Sequence, residues 1–260
     1  SAIEGETLDP QEVRSSIALR LGINVAGLVQ SSRNVDGIVE MMLDATQDFS
    51  RPLTKERLFD WHAALFPTGR SGMHRLIVGS WRTIDTGPMQ VVSGPIGREK
   101  IHFEAPQADK LEKEMTKFLE WFENQNEIDP VLKAGIAHFW FVTIHPFEDG
   151  NGRIARAIAD MALARVDKVT DRFYSLSTQI EYERKDYYNQ LEKQQRGTSE
   201  ISGWLEWFLD CLGRAISRAE QTLSNVLFKA KLWNKIGLNP INQRQRFVIN
   251  RMLEDDFEGH

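Results

Sequence analysis

The chain carries one dense polar stretch from His145 to Arg156, which reads His-Pro-Phe-Glu-Asp-Gly-Asn-Gly-Arg-Ile-Ala-Arg. Residues 131–143, just before it, place apolar side chains at helical spacing without a breaking residue, which predicts a helix. Pro146 resists helix continuation and restricts the residue before it, so we expect His145 to be extended. A histidine at such a chain exit can present a ring nitrogen to a cavity and accept a proton near neutral pH.

A glycine pair follows the histidine and marks the start of a second helix. Gly150 and Gly152 flank Asn151, and glycines reach backbone conformations that let successive amides converge on one anion. Apolar residues at helical spacing come next, at Ile154, Ala157, Ile158, Met161 and Ala162. The positive end of that helix dipole would point at the same anion, so a phosphate is the expected guest.

Charged side chains surround this turn in a pattern suited to several phosphates. Asp149 is a single carboxylate, and Mg²⁺ is usually held by one or two carboxylates together with phosphate oxygens and water. Arg153 and Arg156 are three positions apart on one helix face, and a guanidinium fork matches phosphate oxygens. Taken singly, these residues also fit a structural histidine, an ordinary turn and a solvated helix face. Their combined spacing favours a site for a magnesium-bound triphosphate.

This stretch resembles the signature of the Fic family, His-Pro-Phe-x-(Asp/Glu)-Gly-Asn-Gly-Arg-x-x-Arg, and matches it at every fixed position. The likeness extends over roughly the whole chain, to the subgroup with an extra N-terminal domain and a C-terminal winged helix. It implies a mainly α fold, a helical bundle with one β-hairpin, the flap, near the active site. It also implies a protein adenylyltransferase, a nucleotidyltransferase that moves AMP from ATP to a hydroxyl side chain and releases pyrophosphate.

The resemblance assigns a role to each position of the signature. His145 would take the proton of a target Ser, Thr or Tyr hydroxyl, and Asp149 would hold Mg²⁺ on the α- and β-phosphates. The phosphates would be bound by Gly150, Asn151, Gly152, Arg153 and Arg156. Relatives that act as kinases replace the second glycine of the turn, so the intact Gly152 favours AMP transfer.

The N-terminus resembles the end of a second family motif, an inhibitory helix of the form (Ser/Thr)-x-x-x-Glu-(Gly/Asn). Glu4-Gly5 would be its last two positions, and its Ser/Thr would fall one position before Ser1. By this resemblance Glu4 would pair with Arg156 and block the γ-phosphate. Because most of the motif helix would lie outside this chain, we expect a weak brake.

Residues 69–106 are richer in glycine and β-branched residues than the rest of the chain. Short runs at 76–78, 89–92 and 100–103, with turn residues between the last two, predict a β-hairpin at about 76–103. A loop with local extended pieces fits the pattern about equally well, and the family's flap decides for the hairpin. The flap would align the target segment by strand addition, through Met89, Gln90, Val91, Val92, Ser93 and Gly94.

A helix predicted over 179–195 supplies the expected base site. It places Tyr188, Leu191 and Gln195 on one side, at positions i, i+3 and i+7. The resemblance implies that this face binds the adenine, with Gln195 where many relatives have asparagine. Ordinary packing accounts equally well for Tyr187 and Tyr188.

Helical periodicity predicts the remaining elements, at 10–22, 35–46, 54–66, 108–124, 201–227 and 242–253. We expect an N-terminal helical region at 1–66, a Fic domain at 67–238, and the start of a truncated winged-helix module at 239–260. The chain reads as a piece of a longer protein, because it begins within a motif and ends without a domain behind its last helix.

The composition narrows the class of protein. The chain has 260 residues, 41% hydrophobic and 27% charged, with a net charge of −5, which argues against general binding to nucleic acid or membrane surfaces. The single cysteine, Cys211, excludes an internal disulfide framework and fits a reducing compartment. No run reaches membrane-spanning length, so we expect a cytoplasmic protein that binds nucleic acid only through the missing C-terminal module.

Two other functions stay open from the sequence. Some relatives with an inhibitory glutamate remove AMP from modified proteins, and Glu4 keeps that reaction open. A transcriptional regulator that senses ATP is the alternative from another class, although a sensor has no need of His145. The partners implied by the resemblance are a protein substrate with an exposed hydroxyl side chain and a second copy in a homodimer.

Overall fold

The computed structural model describes residues 2–5, 7–23, 27–93, 100–124, 127–168, 172–197, 200–237 and 241–253. Several predicted positions lie outside these residues: Ser1, Gly94 with the rest of the hairpin turn, and 254–260. The described residues include no helix that is both long and apolar enough to cross a membrane.

The described part of the chain forms ten α-helices and two small antiparallel sheets, which confirms the predicted mainly α fold. The helices are α1 (Pro10–Arg20), α2 (Arg33–Gln47), α3 (Lys55–Leu65), α4 (Leu111–Glu123), α5 (Pro130–Ile144), α6 (Asn151–Asp167), α7 (Leu176–Tyr182), α8 (Arg184–Gln195), α9 (Ser202–Ile236) and α10 (Gln243–Met252). The strands are β1 (Arg70–Ser71), β2 (His74–Arg75), β3 (Gln90–Ser93) and β4 (Lys100–Glu104).

Capping side chains explain where several helices begin. Asp9 accepts a hydrogen bond from the backbone of α1, Thr54 does so for α3, and Asp129 accepts from two amides of α5. Pro130 occupies the first turn of α5, where its missing N–H costs nothing. α10 begins with a capping box built from Asn242 and Gln245. The assignment of this last segment to a winged helix stays a prediction, as do the three domain boundaries.

The centre of the core is the α5–α6 pair, with α2, α4 and α9 packed around it. Two glycines permit close approach between helices. A Cβ on Gly37 of α2 would lie 1.7 Å from the carbonyl oxygen of Ala64, and one on Gly135 of α5 would lie 2.9 Å from Phe208. Cys211 of α9 is fully buried in this core, and burial raises the pKa of its thiol to about 12. Because α6 belongs to the central pair, its first turn lies in the middle of the packed helices.

The hairpin predicted for the flap is present as β3 paired with β4. The register joins Gln90 to Glu104 and Val91 to Phe103, then shifts so that Val92 faces Ile101. His102 is therefore the extra residue of a β-bulge, without an opposite residue in β3.

Two predicted elements are wrong. The single helix predicted over 179–195 is two helices, α7 and α8, because the chain turns at Glu183. The Glu183 carboxylate accepts two hydrogen bonds from Arg214, at 2.7 and 2.6 Å, and another from Gln179. The run 76–78 is not a strand: the amide of Ile77 donates to the Glu148 side chain at 2.8 Å instead of to a neighbouring strand.

Candidate active site

A cavity of about 920 Å³ lies between the 145–156 stretch and the hairpin. We call its two sides the loop end, formed by 145–156 and Glu4, and the flap end, formed by β3, β4 and α8. Most of the predicted site residues line it together: Glu4, Met89, Gln90, Val91, His145, Asp149, Gly150, Asn151, Gly152, Tyr188, Leu191 and Gln195. Arg153 lines a smaller neighbouring cavity, and Arg156 is buried where Glu4 contacts it.

His145 ends α5 in a left-handed conformation, with φ 52° and ψ 59°. The predicted extended conformation is therefore wrong. Its backbone amide continues the helical pattern by donating to Phe141. Its ring Nδ1 lies 3.2 Å from the carbonyl oxygen of Val142, which can only accept, so Nδ1 carries the proton and Nε2 keeps a free lone pair.

The charge state of His145 suits a proton acceptor. Burial lowers the pKa of its imidazole to about 4, although the hydrogen bond to Val142 opposes the shift. The side chain is half-buried and lines the cavity, so one ring edge remains accessible. At neutral pH the ring is uncharged and able to accept a proton.

Arg82 holds the turn that carries His145, a role that no local sequence pattern indicates. Its Nε donates to the carbonyl of His145 at 2.8 Å, its Nη2 to Pro106 at 2.5 Å, and its amide to Pro146 at 2.9 Å. The side chain is buried, and burial lowers its pKa from the usual arginine value. The two bonds to His145 and Pro146 stabilise a backbone conformation that non-glycine residues seldom adopt, and the bond to Pro106 fixes the arginine side chain.

The glycine turn that we expect to bind an anion lies at the start of α6, and we call its residues 150–152 the cradle. Gly150 has φ 81°, and a Cβ there would lie 2.9 Å from the Phe66 ring. The Asn151 side chain is bonded twice to the backbone of Phe147, accepting at 3.0 Å and donating at 2.8 Å. The first bond within the helix is made by the amide of Ile154. The amides of Asn151 and Gly152 precede it in the first turn and belong to the positive end of the helix.

The turn carries two carboxylates, Glu148 and Asp149, and both line the cavity. Asp149 is the one at the signature position. Its Oδ1 accepts from the Gly150 amide at 2.6 Å, and its Oδ2 accepts from the Ser71 hydroxyl at 2.5 Å. The described residues hold no cluster of three or more His, Cys, Asp or Glu side chains that could bind a metal alone. One oriented carboxylate does fit a Mg²⁺ ion whose other ligands are phosphate oxygens and water.

Glu4 lies against the cradle and is paired with Arg156. The two bonds form a fork, Nη1 to Oε1 at 2.6 Å and Nη2 to Oε2 at 2.8 Å. A Cβ on Gly152 would lie 2.8 Å from Oε1 of Glu4, so the carboxylate fills the space above that glycine. The segment is held by buried Ile3, whose carbonyl accepts from the Tyr188 hydroxyl at 3.3 Å.

The Glu4–Arg156 pair is ionised on both sides. Burial alone favours the neutral form of each group, but the charge and hydrogen bonds of the partner outweigh it. The pKa of the Glu4 carboxyl is therefore held below its usual value and that of Arg156 above it. Removing one member would leave a buried charge without its partner.

Arg153 lies near the same carboxylate. Its guanidinium lies over the Phe66 ring, with 4.9 Å between its central carbon and the ring centroid. It lines a cavity of about 290 Å³ together with Glu4, Ser71 and Asp149. Both arginines therefore lie close to Glu4, and Arg156 contacts its carboxylate directly.

The predicted base site is one face of α8, and it continues into a buried network. Tyr188 and Leu191 line the cavity, and Gln195 donates to the Thr143 hydroxyl at 3.2 Å. Tyr187 is buried, with its hydroxyl 3.0 Å from Nε2 of His138, and burial raises its pKa. The burial of Tyr187 favours the interpretation in which this side chain packs in the core.

The described fold is mainly helical, and one cavity brings together a carboxylate, a neutral histidine and the glycine turn at the start of α6. The model of the Fic/DOC family matches residues 52–163 of the chain. The cradle and the histidine lie within this matched segment.

Several known proteins resemble the chain. Protein adenylyltransferase fic-1 from Caenorhabditis elegans is 28% identical over 166 residues, covering 63% of this chain and 30% of that protein. Protein adenylyltransferase Fic from Nematostella vectensis is 24% identical over 222 residues, covering 83% of this chain and 46% of that protein. A crystal structure of a Fic family protein from Desulfovibrio desulfuricans G20 matches with a TM-score of 0.63 and 27% identity, over 85% of this chain and 62% of that one. The chain thus spans less than half the length of these two curated relatives.

Proposed function

We propose that this chain transfers AMP from ATP to a Ser, Thr or Tyr hydroxyl of a protein and releases pyrophosphate. One observation carries the proposal: the neutral imidazole of His145 shares a cavity with Asn151 and Gly152, whose amides lie in the first turn of α6. A proton acceptor beside an anion cradle is what a hydroxyl needs to attack a phosphate. Relatives named protein adenylyltransferase support the same reaction.

In this reaction the hydroxyl oxygen forms a bond to the α-phosphorus, and the bond from that phosphorus to the bridging oxygen of pyrophosphate breaks. The amides of residues 151–153 stabilise the charge on the α-phosphate. Nε2 of His145 accepts the hydroxyl proton. With a pKa of about 4, His145 is a weak base, which suffices because the transition state of phosphate transfer is loose and the proton leaves late.

Asp149 would hold Mg²⁺, which neutralises phosphate charge when it is bound. The Ser71 hydroxyl and the Gly150 amide orient the carboxylate for that role. The adenine would lie on the face of α8 that carries Tyr188, Leu191 and Gln195.

Glu4 is the proposed brake. Its carboxylate takes both Nη atoms of Arg156 and the space above Gly152, where a triphosphate would need the same groups. The γ-phosphate therefore competes with Glu4 for Arg156. Release of the N-terminal turn would raise both ATP affinity and transfer rate.

Removal of AMP from a modified protein is the second candidate, and the position of Glu4 favours it. A carboxylate fixed 2.8 Å from the Cβ position of Gly152 can accept a proton from a water molecule in the cradle. The water would then attack the phosphorus of a bound AMP-protein ester and displace the protein hydroxyl.

The deciding experiment uses ATP labelled on either the α- or the γ-phosphate, followed by intact-mass measurement of all proteins present. AMP transfer attaches the α-label and adds the mass of AMP less one water, whereas phosphorylation attaches the γ-label. A parallel sample of AMP-modified protein without ATP tests removal. Attachment of the γ-label alone, or of neither label in a Glu4→Gly variant, would reject the proposed transfer.

A further inference from the structure

The side chain of Arg196, at the C-terminal end of α8, connects the flap to that helix. Arg196 donates from Nε to the carbonyl of His102 at 2.8 Å and from Nη2 to the carbonyl of Ile101 at 2.6 Å. Both carbonyls belong to β4, and His102 is the bulged residue that has no opposite residue in β3. The arginine therefore binds the strand where its pairing is interrupted.

The same cluster contains a carboxylate that joins the two sides. Glu192 of α8 lies 3.0 Å from Nη1 of Arg196 and 2.6 Å from Nδ1 of His102. The bulge turns the His102 side chain towards α8, and both His102 and Glu192 line the cavity. We call Arg196, Glu192 and His102 the flap clasp.

We propose that Arg196 is a positioning residue, which sets the flap at a fixed distance from the nucleotide face of α8. This inference rests on the proposed transfer reaction. In the described part of the chain β3 pairs with β4 alone, so the other edge of β3 is open for an incoming segment. A flap that shifts relative to α8 would carry the attacking hydroxyl away from the α-phosphorus, and small displacements of reacting atoms reduce rates strongly.

The clasp should matter for delivery of the protein hydroxyl and not for binding of the nucleotide. Tyr188, Leu191 and Gln195 belong to α8 itself and keep their positions without the flap. Loss of the clasp therefore affects delivery of the protein hydroxyl and leaves nucleotide binding intact.

The test compares Arg196→Ala with Arg51→Ala. The two arginine side chains are 48% and 64% exposed and each binds a carboxylate, but Arg51 pairs with Asp44 of α2 and does not line the cavity. Amide hydrogen exchange is followed for peptides that contain β4, together with ATP affinity and the rate of AMP transfer in a Glu4→Gly background. Arg196→Lys keeps the charge but cannot donate to both carbonyls, so it provides an intermediate variant.

For Arg196→Ala we expect exchange in β4 about tenfold faster and AMP transfer slower by about the same factor, with ATP affinity unchanged. Arg51→Ala should leave β4 exchange and transfer as they are. Unchanged exchange in Arg196→Ala would overturn the clasp, and faster exchange with unchanged transfer would overturn its positioning role. If exchange rises but the parent protein transfers no AMP, the clasp stands and the proposed transfer fails.

Discussion

The loop end and the flap end of the cavity are built in different ways. At the loop end, two buried residues, Arg82 and Asn151, hold the backbone of the turn through four hydrogen bonds. At the flap end, a two-stranded hairpin is attached to α8 by side chains that are 22%, 23% and 48% exposed. Buried bonds are harder to exchange for water than exposed ones, so the loop end is the more rigid of the two.

This difference separates the chemical groups from the groups that would meet a protein partner. The imidazole and the cradle are in place before any ligand arrives, which avoids reorganisation during the reaction. The hairpin can adjust to an incoming segment at small cost, since few buried contacts hold it. Changes at the loop end should therefore alter the chemical step, and changes at the flap end should alter the binding and positioning of the protein partner.

The largest effect is expected for His145→Asn, which tests whether the loop end carries the chemical step. Asparagine tolerates the left-handed conformation, so the turn keeps its shape while the proton acceptor is lost. We expect AMP transfer to fall by at least about 100-fold with ATP affinity unchanged. Labelled transfer and equilibrium binding of ATP measure the two effects. His74→Asn, an exposed histidine on β2, is the control, and transfer that persists in His145→Asn removes the assigned base.

The second test is Glu4→Gln, which keeps the size of the side chain and removes its charge. Because the fork to Arg156 is lost, ATP should bind more tightly and transfer should rise by at least about tenfold. Glu114→Gln removes an ion pair with Lys117 on the surface of α4 and should change neither. Equal transfer rates in Glu4→Gln and the parent would end the brake hypothesis.

The third test concerns the carboxylate proposed for Mg²⁺. Ser71→Ala removes the hydroxyl that donates to Asp149, so the Mg²⁺ concentration for half-maximal transfer should rise by about fivefold. A Mg²⁺ titration of the transfer rate gives this value. Ser80→Ala, half-buried and bonded to the Trp81 carbonyl, should leave it unchanged. An identical titration curve for Ser71→Ala would show that this hydrogen bond is not needed.

The smallest effect concerns the buried histidine behind Arg156. Burial and the Arg156 charge lower the pKa of His138 to about 3. An unfolded histidine with the ordinary value of 6.5 gains its proton first as pH falls, so stability is full above that value and decreases towards pH 3. His138→Gln should reduce this decrease by up to about 1.4 kcal/mol per pH unit, measured by urea unfolding between pH 6 and 4.5. An unaltered slope would mean that His138 is already protonated in the folded state.

Local pattern was enough to predict most of the fold and the sequence of the loop end. Helical periodicity placed α1 and α3 within a few residues of their observed ends, where Asp9 and Thr54 cap the helices. The glycine pair predicted the start of α6, because glycine adopts the left-handed backbone found at Gly150 more readily than other residues. These features depend on neighbours in sequence and are therefore visible in it.

The features that the sequence did not predict depend on contacts between residues far apart in the chain. Arg82 and His145 are 63 positions apart, and Ser71 and Asp149 are 78 apart, so neither bond leaves a local pattern. The break at Glu183 follows from Arg214 on another helix, although glutamate itself favours a continuous helix. His145 departs from the preference for extended backbone before proline because Arg82 stabilises the turn it forms.

The buried cysteine of α9 offers a practical route to observing the two ends separately. Cys211 is the sole thiol of the chain, has no exposed surface and keeps its proton well above neutral pH, so alkylating dyes react with it poorly. A cysteine introduced at exposed Ile101 would then be the single reactive position, and a fluorophore attached there would report flap movement without removal of the native thiol.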